Sequence, residues 1–181
     1  SERMRVPGAR ARVASLPGLV MLHAAPSGSQ RAVLVSGRGR VTADQIQLRH
    51  REQHADARGN VQGSIDDAVL LGGQGGGPAP SPLHFAADEL TVLDKGDAFL
   101  LEGNARAWQG RRLLQGDGIT YRQGDQSLNA TGHVRTSIPG QEVQAGEALP
   151  GDAVVEARSL DYVAAERRAV YRGGVRYRDG L

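Results

Sequence analysis

Hydrophobic positions in this chain fall two apart, in short runs, and the runs return. Ile46 and Leu48, Leu90 and Val92, Ile119 and Tyr121, and Leu160 and Tyr162 each flank one polar residue. That is the period of a strand with one buried face. A polar, turn-prone stretch follows in residues 94–97, 122–125 and 164–167. Alternation then resumes through Phe99, Leu101, Gly103 and Ala105, through Leu128, Ala130, Gly132 and Val134, and through Tyr171, Gly173, Val175 and Tyr177. The pattern predicts units of two strands, nine or ten short antiparallel strands in all, joined as hairpins. No segment carries a convincing helical period.

The units form an internal repeat. Asp44, Asp88, Asp117 and Arg158 occupy one position of the frame, and Gly59, Gly103, Gly132 and Gly173 occupy another, fifteen residues later each time. A half-repeat precedes them, because residues 32–40 match residues 98–106 in register. Connections vary while the units do not. Residues 109–111 read as a tight turn, residues 72–82 as a flexible Gly/Pro loop, and residues 138–152 as a second insertion. Altered strand spacing would turn apolar faces outward, whereas a longer loop costs little entropy. The expected organisation is an unassigned N-terminal segment at 1–30 and one repeat domain at 31–181. Basic residues precede the apolar stretch 13–25, but Pro17, Gly18 and His23 interrupt it, so it reads as part of a processed or excised chain rather than a signal peptide. The chain stops just after a glycine block, as expected of a piece of a longer array.

Composition narrows the picture. Aromatics make up only 4% of the 181 residues and glycine contributes 25, which suits a thin, elongated core. The absence of cysteine excludes disulfide scaffolds, zinc–thiolate sites and cysteine nucleophiles. The formal net charge of +2 predicts no particular partner, although every basic residue except Lys95 is an arginine. No apolar run reaches the length of a membrane span.

Candidate chemistry is sparse. Asp44, Asp88 and Asp117 recur at one repeat position, which marks a turn or bulge device rather than an acid and a base. Asp66 and Asp67 read as a solvated turn. His50 and His54 are four apart, but they flank a hairpin turn and lack the glutamate of a zinc-protease motif. The glycines at 72–77 open no helix and precede no phosphate-loop lysine. An enzyme is not expected, and neither is a metal or a cofactor. Arg106, Arg135 and Arg176 share a repeat position and form an expected ladder, suited to phosphate, to an anionic lipid head group, or to a solvated face. Scattered aromatics argue against nucleic acid.

The paired blocks carry a resemblance. Phe85 to Leu90 followed by Leu101 to Gly110, and then Gly124 to Val134, resemble the organic-solvent-tolerance (OstA-like) repeat of lipopolysaccharide transport proteins. That family includes the periplasmic bridge LptA, which the pattern resembles most, the inner-membrane protein LptC, and the periplasmic domain of LptD. The resemblance spans residues 32–178. It implies an all-β fold, an antiparallel β-jellyroll that is an open, twisted two-sheet stack of repeated hairpins. It also implies a periplasmic location and lipid binding, with lipid A acyl chains shielded in a hydrophobic groove between the inner and outer membranes during outer membrane biogenesis. The implied lipid-binding residues are the inward apolar positions Ile46, Leu48, Leu90, Val92, Phe99, Leu101, Ile119, Tyr121, Leu128, Leu160, Tyr162 and Tyr171. Implied partners are lipopolysaccharide and other Lpt jellyrolls joined by edge-strand pairing, with homo-oligomers among the expected assemblies. The chain departs from the pattern at Arg158, Gly174 and His133. From the residues alone a structural β-solenoid or sandwich used for assembly or adhesion stays open. A carbohydrate-active β-helix would need carboxylates clustered on one face, and here they are spread one per unit.

Overall fold

Each repeat folds as two antiparallel arms, each a long strand or two short ones, kinked where the glycine of one faces the aspartate of the other, or Arg158 in the fourth. The computed structural model describes residues 19–23, 31–36, 39–49, 54–66, 68–71, 81–93, 97–139 and 151–180. The strands are β1 (Leu19–His23), β2 (Ala32–Ser36), β3 (Gly39–Ala43), β4 (Gln45–Arg49), β5 (His54–Ile65), β6 (Leu83–Leu93), β7 (Ala98–Gln109), β8 (Arg112–Arg122), β9 (Ser127–Ile138), β10 (Gly151–Val163), β11 (Arg168–Arg172) and β12 (Arg176–Gly180). Among the described residues there are thus twelve, and β5 to β10 run 11 to 13 residues. This corrects the expectation of nine or ten short strands. In β5, β7 and β9 the glycine and the residue after it bend the strand without ending it, whereas Gly173 and Gly174 fall between β11 and β12.

All twelve belong to one antiparallel sheet, ordered β1-β4-β5-β6-β7-β8-β9-β10-β11, with β2 on β3, β3 also on β5, and β12 on β10. β1 pairs β4 from within the segment that the sequence left unassigned. Residues 72–80 of the Gly/Pro loop and 140–150 of the second insertion lie outside the described residues.

Registers between the long strands shift at one aligned place: between Arg58 and Val61, Ala86 and Glu89, Glu102 and Ala105, Gln115 and Gly118, and Ala157 and Ser159. At each shift β5, β7 and β9 use one residue more than their neighbours, which bends the strand and increases its twist. The kinks therefore form a seam that divides the sheet into two layers. The first layer runs β1-β4, then the halves of β5 to β10 on one side of the seam, then β11. The second runs β2-β3, then the other halves of β5 to β10, then β12. Asp44 joins β3 to β4 across the seam, as Gly173 and Gly174 join β11 to β12.

Burial shows how the layers meet. In β8, Leu114 and Ile119 are both buried, five residues apart, and in β6 Ala87 and Leu90 are both buried, three apart. Odd separations place side chains on opposite faces of an uninterrupted strand. The reset across the aspartate keeps the same face apolar on both sides of the seam. Among the described residues no helix covers that face, so the sheet covers itself, one layer on the other. A single core cluster accordingly spans the seam, from Ile46 and Leu90 on one side to Val61, Phe85, Leu114 and Val134 on the other.

Candidate functional site

The inner face of the first layer is two unbroken cross-strand rows. One reads Ile46, Ala57, Leu90, Leu101, Ile119, Ala130, Leu160 and Tyr171. The next reads Leu48, Ala55, Val92, Phe99, Tyr121, Leu128, Tyr162 and Ala169. All twelve apolar positions singled out in the sequence fall in these rows. Eight are buried, with Leu160 at 0% exposure and Leu101 and Tyr162 at 4%. Leu48, Val92, Phe99 and Tyr171 are partly buried against the same cluster.

The facing layer was not legible in the same detail. Its inner side carries Val61, Ile65, Leu83, Phe85, Ala87, Ala105, Ala107, Leu114, Val134 and Val155, all buried. Carrying the period-two pattern back from Asp88 through Ala87, Phe85 and Leu83 would have found part of it. Small residues dominate the rest, and their contrast with polar neighbours is weak. One direct bond ties the layers: the hydroxyls of Tyr171 on β11 and Thr136 on β9 lie 2.9 Å apart, and Thr136 is fully buried. Burial pushes the Tyr171 phenol above its usual range, with the Thr136 bond opposing. Tyr171→Phe is expected to cost about 1 kcal/mol, the worth of one hydrogen bond whose buried partner stays behind. Urea unfolding measures it, and an unchanged midpoint would show that the tie carries no stability.

The mouth opposite the seam is occupied by a loop. Ala68, Leu70 and Leu71, which follow β5, are buried at 1%, 0% and 8% exposure. The Gln109 side chain, 7% exposed at the end of β7, clips this loop. Its Oε1 accepts the Leu70 N–H at 2.9 Å, and its Nε2 donates to the carbonyls of Ala68 at 2.8 Å and Ser81 at 2.6 Å. Across the mouth, burial pushes the Tyr121 phenol up, with the Val69 backbone pulling the other way and the Asp125 and Asp97 carboxylates adding to the rise. The apolar run 68–71 inside a loop was the available signal, since such a run seldom stays in water.

The recurring aspartates are corner fittings. Asp44 Oδ2 accepts from Asn60 Nδ2 at 2.8 Å, Asp88 Oδ2 from Asn104 Nδ2 at 2.8 Å, and Asp117 Oδ2 lies 2.9 Å from His133 Nδ1. Asn60, Asn104 and His133 all hold φ of 48°, each after a glycine at 67–75°. Asp66 is an exposed turn residue, while Asp67 and His50 lie outside the described residues. His54 Nε2 contacts Asp56 at 3.2 Å, and no three metal-ligating side chains gather among the described residues. The arginine ladder does line up. Arg106, Gln115, Arg135, Glu156 and Arg176 are successive cross-strand neighbours on the outer face of the second layer.

A single antiparallel sheet, kinked along a seam and closed on an apolar interior with open edges, defines a β-jellyroll of the OstA-like type. Neither a protein-family model nor a curated protein matches the sequence. Among solved structures the chain is similar to LptH, described as the LptA homologous periplasmic component of the conserved lipopolysaccharide transport device from Pseudomonas aeruginosa. The TM-score is 0.54 at 16% identity, over 77% of this chain and 93% of that one. At that identity the likeness shows an LptA-like fold.

Proposed function

We propose that the chain is a periplasmic bridge domain of lipopolysaccharide transport, which takes lipid A acyl chains between its two layers and passes them along the sheet. The observation that carries this reading is the pair of apolar rows running from β4 to β11, whose only polar side-chain groups are three tyrosine hydroxyls. Sheet closure would serve stability alone equally well, but rows that run from β4 to β11 also offer a path along the sheet. The likeness to LptH adds the class of passenger. The exposed large apolar residues support edge-to-edge assembly. Val33 and Val35 lie on β2 at one end of the second layer, and Val175 and Tyr177 lie at the other end. Unpaired strand edges with such residues are suited to strand addition by another jellyroll. The reading involves no chemical step.

Photocrosslinking in cells that make lipopolysaccharide tests it. A photoreactive residue at Phe99 or Tyr121 should give lipopolysaccharide adducts, and one at the outward Arg106 should give none. A folded, periplasmic protein without adducts at the inner sites would sink the conduit and leave the structural reading. For lipid to enter, the layers must part or the 68–71 segment must leave, because Leu70 is fully buried.

A further inference from the structure

The fourth corner differs from the other three in a way the fold does not require. Its backbone is the same: Arg158 N–H donates to Gly173 O at 2.9 Å, as Asp44 N–H does to Gly59 O at 2.9 Å. Its side chains are not. Where the other corners pair a carboxylate with Asn60, Asn104 or His133, this one has Arg158 and Gly174. The carboxylate has become a guanidinium, and the residue that would cover it has no side chain. A Cβ placed at Gly174 would meet nothing within 4 Å. The result is an open cavity of about 610 Å³ whose lining includes His133, Arg135, Glu156, Arg158, Gly174 and Arg176.

Charge on the two outer faces points the same way. On the first layer, arginines are matched across strands: Arg58 with Glu89 at 3.7 Å, Arg49 with Asp56 at 3.7 Å, and Arg172 with Asp161. The Asp161 carboxyl is held below its usual range by the Asn129 amide and then by Arg172. On the second layer the guanidinium groups of Arg135, Arg158 and Arg176 have no ion-pair or hydrogen-bond partner among the described residues, and Glu156 is engaged by Arg178 at 3.5 Å. His133 is taken by Asp117. Three guanidiniums therefore share one opening with a single carboxylate, Glu156, which Arg178 also engages, so positive charge there is in excess. Their mutual repulsion is relieved by a bound dianion with several acceptor oxygens, which planar guanidinium forks match in pairs. We infer that this corner is a phosphate-binding site, its charged side chains on the outer face of the sheet and its function independent of what the interior carries. The phosphate is either free or borne on a lipid head group. Nucleic acid is disfavoured, because Trp108 stacks on His84, with ring centroids 5.6 Å apart, on strands β6 and β7 away from the cavity.

Calorimetric titration of the full chain with inorganic pyrophosphate at low salt tests the site. Arg158→Gln and Arg135→Gln should each weaken binding roughly tenfold or more, the effect of losing a charge-assisted hydrogen bond. Gly174→Asn should weaken it by filling the opening, and Arg58→Gln, on the paired face, should leave it unchanged. All four positions are exposed, and circular dichroism confirms folding. A second arm sediments the chain with phosphatidylcholine vesicles with and without phosphatidic acid. Pyrophosphate binding without vesicle capture assigns a free phosphate, and capture lost in Arg158→Gln assigns a head group; both uphold the site. Absence of binding in both arms, or equal loss in Arg58→Gln, overturns it. Tighter binding of a single-stranded oligonucleotide with the same variant sensitivity would replace the phosphate reading with a nucleic-acid one.

Discussion

Gly103→Ala is expected to destabilise the chain by about 2–4 kcal/mol, and Gly174→Ala by about 1–2 kcal/mol. Both glycines hold positive φ, 73° and 66°, so both substitutions carry the cost of placing an L side chain in the left-handed region. Only at Gly103 does the new methyl meet something, since its Cβ would lie 2.5 Å from Asp88 Oδ2. The carboxylate must then swing away from Asn104 Nδ2, which it holds at 2.8 Å, and the corner loses its side-chain bond as well. Gly59, whose Cβ would also lie 2.5 Å from Asp44 Oδ2, should behave like Gly103. Denaturant unfolding of the variants provides the comparison. Equal losses at Gly103 and Gly174 would mean that φ alone decides, and that the aspartates do not brace the kinks.

Gln109→Ala should have the larger effect, about 3–5 kcal/mol, because one truncation orphans two buried backbone groups and a third that is part-buried, at about 1–3 kcal/mol each with partial relaxation. The groups are the Leu70 N–H and the carbonyls of Ala68 and Ser81. Gln109→Glu should rescue little, since a carboxylate accepts from Leu70 but cannot donate to the two carbonyls. Loss of the clip should also release the 68–71 segment, so trypsin-independent cleavage in that loop, by a protease selective for apolar residues, should accelerate. A variant as stable and as resistant as the parent would show that apolar burial of Leu70 alone keeps the mouth closed.

What the sequence disclosed, and what it withheld, follows from side-chain contrast. The corners were legible because aspartate and glycine recur at a fixed interval, and the first layer because Ile, Leu and Tyr alternate with polar residues. Strand number was not, since β1 lies in a segment outside the repeat and the alternation through Tyr171, Gly173, Val175 and Tyr177 reads as one strand where the chain makes two, β11 and β12. The second layer was hidden by alanine, glycine and threonine: Ala105, Ala107 and Thr136 are at least as enclosed as Leu101 yet carry little apolar signal. Gln109 was missed for a related reason. A buried amide that satisfies backbone groups looks, in a sequence, like any surface glutamine.

The two inner rows of the first layer also set a corrugation. Neighbouring strands are spaced about 4.8 Å apart, so an apolar chain lying across the rows meets a similar surface after each small step. The step is shallowest at β5, where both rows hold alanine, Ala55 and Ala57, and deepest at the adjoining Phe99 and Tyr121. At about 25 cal/mol per Å² of contact, exchanging alanine for a large side chain deepens a position by only about 1–2 kcal/mol. If the rows carry acyl chains as proposed, the track has shallow wells instead of one tight seat: a passenger would dwell near β7 and β8, and thermal motion would suffice to move it on.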